Sequence, residues 1–360
     1  MPAGFNIENH TIILSIHMVS PDSGVFNDGP SLLGQPRIVP GPGPAAHNDS
    51  RHDWAYEKPL HDPAIAEIWC YTPRISYRAG DVVDFHVHST RPLFEIEVTR
   101  DGPTPERVFF QSGIAATAAA TPDRAHVNGC DWPVAFQLTV DSSWRSGFYV
   151  VVVRLREPDG EVFEREHFFV VKPSQPAMSS SIAFVVSTCT MNAYNDWGGG
   201  NSYHGEGGTP RFKQANARTS LRRPWSRGLV KLPLGAPRAV STAELPPFAV
   251  PQLPSHPWAH HYGYARDYAD ASWALYGKLF IEWAEANGFT LDYYSQHDLH
   301  EDPQTLVPYR LSVVVGHDEY SSWPMREAIE HQLTAGGNHA RFAGNNIWQV
   351  RYEDGGTTFV

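Results

Sequence analysis

Hydrophobic residues fall along this chain in three patterns: strict alternation, unbroken short runs, and helical spacing. Between residues 65 and 172 the segments IAEIWCYT, DVVDFHVHST, FEIEVTR, VAFQLTV, FYVVVVRLR and VFEREHFFVVK are rich in Val, Phe, Ile and Tyr, with Gly or Pro turns between them. Val83, Phe85 and Val87 alternate with Asp84, His86 and His88. A period of two marks a strand with one buried face, and several such strands at close spacing predict an all-β sandwich over 65–172. His86 and His88 fall on the more polar face, which reads as a solvated strand face, with a metal pair as the alternative. PSQPAMSSS, residues 173–181, has the composition of a linker.

Beyond residue 181 the pattern changes. IAFVVST (182–188), FTLDYYS (289–295), LSVVV (311–315) and HARFAG (339–344) are compact strand-like runs, and apolar runs of this kind suit buried parallel strands. Trp273, Tyr276, Leu279, Phe280 and Trp283 stand at helical spacing, closed by Gly288. A second helix starts at Ser322, with Met325, Ala328, Ile329 and Leu333 on its apolar face and Gly336-Gly337 at its end. Strands alternating with helices predict βαβ units and a parallel sheet over 182–360. Residues 1–64 read as an irregular N-terminal arm rich in Pro, Gly, Asn and Asp. Seven prolines in 233–257 mark a long excursion packed over the active edge.

Charge and cysteine usage narrow the partners. A net charge of −11 argues against nucleic acid or an anionic membrane. Three cysteines without metal-type spacing, and no basic, apolar leader, lead us to expect a cytoplasmic protein.

Chemistry concentrates where the buried strands end, because open α/β sheets bind ligands at the carboxyl ends of their strands. Four polar corners meet there: Thr188, Asn192, Tyr194, Asn195 and Trp197; Gln296, His297, Asp298 and His300; His317 and Glu319 within GHDEY; and Asn345 with Asn346. Burying one imidazole, two carboxylates and a phenol in four residues is costly unless they are paired or hold a metal. No G-x-S-x-G elbow, G-x-G-x-x-G loop or H-E-x-x-H zinc helix occurs. Cys189 reads as a small buried thiol. What remains is a hard-ligand metal site, in which Glu319 and tyrosine phenolates suit Fe(III), or a metal-free binding cleft.

STCTMNAYNDWGGGNSY, RTSLRRPWSRG, VVVGHDEYSSWPMREAIEHQLTAGGNHARFAGNNIWQVRYEDGG and the β-rich IWCYTPRISYRAGDVVDFHVHST resemble the large (β) subunit family of N,N-dimethylformamidase. The resemblance implies an α/β parallel-sheet catalytic domain of the class I glutamine amidotransferase-like type, without its cysteine nucleophile, preceded by an all-β sandwich domain. It implies a mononuclear iron, Fe(III), among two tyrosines and one glutamate, acting on a small-molecule amide. Carried over, Glu319 is the carboxylate ligand, Tyr194 one phenolate, His317 an acid/base or supporting group, and Asn345 the group that orients the substrate carbonyl. Asn192, Trp197 and Asn346 are expected to line the substrate. Tyr203 is the second phenolate by position. The alternative location is RRPW, where Trp225 stands, with Tyr262, Tyr264 or Tyr268 as substitutes. The family continues past the point where this chain stops, so the α/β domain is expected to be C-terminally truncated. A small partner subunit and a homo-oligomer are expected from the same resemblance. The alternative function is a non-catalytic binding subunit of the same fold.

Overall fold

The computed structural model describes residues 57–205, 216–237, 273–345 and 348–360, with a few positions between 258 and 268. The readings of the N-terminal arm up to residue 56, of most of the proline-rich excursion and of Asn346 lie outside the described residues.

The first eight strands are β1 (Ile68–Tyr71), β2 (Ser76–Tyr77), β3 (Val82–Ser89), β4 (Leu93–Arg100), β5 (Glu106–Ala115), β6 (Val134–Thr139), β7 (Gly147–Arg156) and β8 (Val162–Val171). They make a three-stranded sheet ordered β1-β3-β6 and a five-stranded sheet ordered β2-β8-β7-β4-β5. The two share one core. Val83, Phe85 and Val87 of β3 meet Ile96 and Val98 of β4 and Tyr149, Val151 and Val153 of β7. The other face of β7 is also covered: Phe148, Val150 and Val152 pack with Phe184, Trp225, Trp273 and Tyr293. This explains why FYVVVV, the stretch from Phe148 to Val153, does not alternate, since a strand buried on both faces has no position for a polar side chain. Phe148 stacks on Trp273 at 4.0 Å, ring centre to ring centre. The five-stranded sheet is therefore a middle layer between the small sheet and the α/β layer.

The polar face of β3 is only partly solvated: Asp84 and His86 are partly exposed, and His88 is not. His88 is fully buried, with Nε2 2.9 Å from Glu67 Oε1 and Nδ1 accepting from the Ala119 amide at 2.9 Å. His86 stacks on Tyr71 at 4.7 Å. The loop carrying Trp132 covers both, a long-range contact that a strand pattern does not encode.

The α/β layer is a four-stranded parallel sheet of β9 (Ile182–Val186), β11 (Asp292–Ser295), β12 (Leu311–His317) and β14 (Asn338–Gly344), ordered β11-β9-β12-β14. A short α1 (Ala125–Asn128) belongs to the β-rich half. In the α/β layer, β9 leads into the wholly buried α2 (Thr188–Tyr194). α3 (Lys278–Ala286) follows a π turn at Trp273–Gly277. α4 (Gln296–Glu301) follows β11, capped by Ser295 and Asp298 in a reciprocal box. α5 (Trp323–Thr334) connects to β14.

The helical stripe expected over 272–287 is broken by the π turn. Trp273 is buried, but Trp283 is 56% exposed, and Ile281 and Ala284 make the inner face of α3 instead. The last strands fold back on the layer. β13 (Tyr320–Ser322) pairs in parallel with β15 (Trp348–Val350), and β10 (Thr219–Ser220), β17 (Thr358–Phe359) and β16 (Tyr352–Glu353) form a small sheet. No helix among the described residues is long and apolar enough to cross a membrane.

Candidate functional site

Glu319 sits in the corner between β12 and β13. The corner is possible because Gly316 adopts φ +103 and has no side chain; a Cβ there would lie 2.6 Å from Tyr276 Cβ. The backbone of Glu319 is held on both sides: its N–H donates to Thr190 Oγ1 at 2.9 Å, and its carbonyl accepts from the Trp348 N–H at 2.7 Å. Gln296 braces the same corner. Its Oε1 accepts from the Cys189 amide (2.9 Å), and its Nε2 donates to Asp318 Oδ1 (2.8 Å) and to the Tyr320 carbonyl (2.9 Å).

One carboxylate oxygen collects the site. Tyr194, the last residue of α2, donates its phenol to Glu319 Oε2 at 3.1 Å. Tyr203, in the loop beyond α2, donates to the same oxygen in a short hydrogen bond. His317 Nε2 lies 3.2 Å from it. The two phenol rings stack at 4.7 Å. Tyr320 donates its hydroxyl to the Tyr203 oxygen at 2.5 Å. Asn345 Nδ2 is 3.1 Å from His317 Nε2, and Asn345 itself holds φ 47 in the left-handed region that Asn tolerates.

The electrostatics follow from crowding oxygen atoms in a buried space. Burial by itself would raise the Glu319 carboxyl, but hydrogen bonds from His317, Tyr203 and Tyr194 outweigh it and hold its pKa below the usual value. Burial, and the carboxylate that takes its hydrogen bond, push the Tyr203 phenol far above the ordinary phenol range. Burial also raises Asp318, partly opposed by Arg341, whose Nη1 lies 2.8 Å from its carboxylate.

The helix that carries Tyr194 is held by an unusual clamp. Arg223, 1% exposed, sends its guanidinium to the backbone carbonyls of Asn195 (2.7 Å), Trp197 (2.7 Å), Asn192 (3.4 Å) and Ser220 (2.8 Å). Burial pushes this guanidinium down to about 9. A cation at a helix C-terminus also complements the helix dipole.

Of the residues singled out by sequence, Tyr194, Tyr203, Glu319, His317 and Asn345 come together. Asn192 and Trp197 do not join them. Asn192 is enclosed, its amide donating to Thr219 Oγ1 at 3.1 Å. Trp197 is fully buried edge-on to Trp69 and Trp132, at 5.7 Å from each, and packs the end of α2 against the β-rich half. Trp225 is a core residue against Phe168. Tyr264 lies under Arg227, Tyr262 on Trp258, and Tyr268 bonds the Pro237 carbonyl. Cys189 is a buried thiol beside Tyr352, pushed up by burial. His297 and His300 flank the Tyr352 ring.

Gln296 and the Tyr320 phenol were placed at the polar corners by sequence but given no role, and Thr190 and Arg341 are the members that sequence reasoning missed. Among the described residues no group of three or more His, Cys, Asp or Glu side chains is placed to hold a metal. The donor set that does converge is two phenols and one carboxylate, all oxygen.

The carboxyl edge of the parallel sheet thus gathers phenols, a carboxylate, an imidazole and an amide around Glu319. The chain belongs to the N,N-dimethylformamidase beta subunit-like family: the family model described as "N,N-dimethylformamidase beta subunit-like, C-terminal" matches residues 96–358. It is similar to the N,N-dimethylformamidase beta subunit of an Alcaligenes species, 25% identical over 232 residues, covering 62% of this chain and 28% of that protein. It is also similar to the subunit of the same name from Paracoccus aminophilus, 32% identical over 80 residues, covering 22% of this chain and 10% of that protein. The matched region thus spans under a third of the length of these curated relatives. Among solved structures, murine CRIg overlays 30% of this chain and 99% of its own, at 13% identity and a TM-score of 0.21.

Proposed function

We propose that this protein hydrolyses the C–N bond of a small amide, in the manner that the name N,N-dimethylformamidase describes, with a mononuclear iron(III) held by Tyr194, Tyr203 and Glu319. One observation carries the reading: two phenol oxygens from separate segments meet the same carboxylate oxygen of Glu319. The residues fit the ion. Iron(III) is a hard cation that favours anionic oxygen donors, and this cluster supplies three oxygen ligands whose protons are now shared among themselves. When bound, such an ion supplies a Lewis acid that polarises a carbonyl and acidifies water.

The remaining groups have roles that follow from their positions. His317 Nε2 faces the acceptor-only carboxylate of Glu319 on one side and the amide of Asn345 on the other. It can take a proton from an attacking water and return it to the leaving amine. Asn345, exposed beside it, can donate to a substrate carbonyl or orient the imidazole. The parallel-sheet layer supports a glutamine amidotransferase-like scaffold in which the tyrosine–glutamate cluster stands in place of a nucleophilic cysteine, Cys189 being enclosed. The matched relatives are named as subunits, and this supports an assembly in which the chain works with further protein partners.

The test is amine release from N,N-dimethylformamide and a panel of small amides by the iron-loaded chain. We expect hydrolysis that disappears on iron removal and falls at least about a hundredfold in Glu319→Gln. No hydrolysis of any amide, or turnover indifferent to that substitution, contradicts the proposal.

A further inference from the structure

Tyr320 brings a third phenol to the site. Its place is fixed independently of the other two. It opens β13, paired with Trp348 of β15, and its carbonyl accepts from Gln296 Nε2 at 2.9 Å. Its ring stands edge-on to Phe359 at 5.3 Å and to Tyr203 at 6.4 Å. The direction of its hydrogen bond is settled by proton supply. A phenol has a single hydrogen, and that of Tyr203 goes to Glu319. The 2.5 Å contact between the Tyr320 and Tyr203 oxygens therefore runs with Tyr320 as donor.

We infer that Tyr320 is a positioning residue for the metal-binding phenol: its hydroxyl holds the Tyr203 oxygen by a hydrogen bond and sets how strongly that oxygen donates to a bound iron(III). The inference rests on the iron reading above. When Tyr203 gives up its proton to bind the ion, its oxygen becomes a charged acceptor. The hydrogen bond from Tyr320 then remains and strengthens, since donation to an ionised oxygen is the stronger kind. A donor on a phenolate lowers the energy of the lone pair shared with the metal. Removing that donor makes the phenolate a better ligand and brings its electrons closer in energy to the iron. Tyr320 touches Tyr203 and is not itself a ligand.

The experiment compares the visible spectrum and the iron(III)/iron(II) potential of the iron-loaded full chain with those of Tyr320→Phe. The expected result is retained iron, a tyrosinate-to-iron absorption band displaced to longer wavelength, and a lower potential. A phenylalanine that merely left a packing gap would move neither in this concerted way. Replacing Tyr320 by 3-fluorotyrosine, a stronger donor of nearly the same shape, is expected to displace the band to shorter wavelength, and this arm decides the matter if the Phe protein does not fold. An unmoved band in both variants, or loss of iron from a folded Tyr320→Phe chain that Tyr203→Phe does not share, overturns the inference. Absence of the band from the iron-loaded parent chain instead overturns the iron reading itself.

Discussion

At the scale of single residues, the chemistry turns on what surrounds His317. Its ring packs against Tyr194 at 5.3 Å, and its Nε2 is set between Glu319 and Asn345. An imidazole so placed can move a proton without holding the ion. His317→Gln is accordingly expected to keep iron and its absorption while lowering kcat by about 10²–10⁴, the usual contribution of a positioned acid–base group. Unchanged kcat, or loss of iron alongside activity, contradicts this role. The sequence made part of this legible. GHDEY ends an apolar run, and that juxtaposition marks a strand end where chemistry gathers. The phenol at Tyr203 was readable only by position, because it reaches Glu319 across 116 residues of chain. Trp197, in the same motif as Tyr194, points away from the site. Gly198 and Gly199 follow it at φ +87 and +120, and a motif in sequence does not make its side chains face one way.

At the scale of elements, α2 is the piece on which the site depends. It has seven residues, all buried, too few to be a stable helix alone. Arg223 compensates by capping carbonyls at its C-terminal end, directly beside Tyr194. Arg223→Met would leave at least two strongly bonded buried carbonyls without a donor. Each such group costs about 1–3 kcal/mol, so a total loss of about 3 kcal/mol is expected, measured by chemical denaturation. It should also weaken iron retention, since Tyr194 moves with the helix. A change under about 1 kcal/mol counts against the clamp. Sequence reading placed the polar corner here but not the helix, because no apolar period runs through TCTMNAY. Its burial comes from layers above and below it. By contrast β9 and β12 were legible as buried strands, since continuous apolar runs have few other uses. The π turn before α3 was not, because an apolar stripe looks the same whether or not one turn is overwound.

At the scale of the whole molecule, the middle β-sheet joins both halves through cores on its two faces. His167, on β8, is buried within that layer, with Nε2 2.8 Å from Thr72 Oγ1 and Nδ1 without a hydrogen-bond partner among the described residues. Burial lowers its pKa to about 3, against an ordinary value of 6.5. In this window the unfolded chain binds a proton that the folded chain refuses. The stabilisation is thus complete above about pH 6.5 and is lost as pH falls, at about 1.4 kcal/mol per pH unit. Thermal melts from pH 7.5 to 5 should show this fall, with a shallower slope in His167→Gln. Equal slopes in the two proteins contradict the assignment. Such long-range burial is invisible in FFVV and its neighbours taken alone, where His167 reads as the polar member of a strand.

The central claim is that Tyr194, Tyr203 and Glu319 share one iron ion. Iron-edge anomalous diffraction from crystals of the iron-loaded chain tests it most directly. A single strong peak is expected among the two phenol oxygens and the Glu319 carboxylate. A map with no peak there, or with iron bound by other side chains, contradicts it.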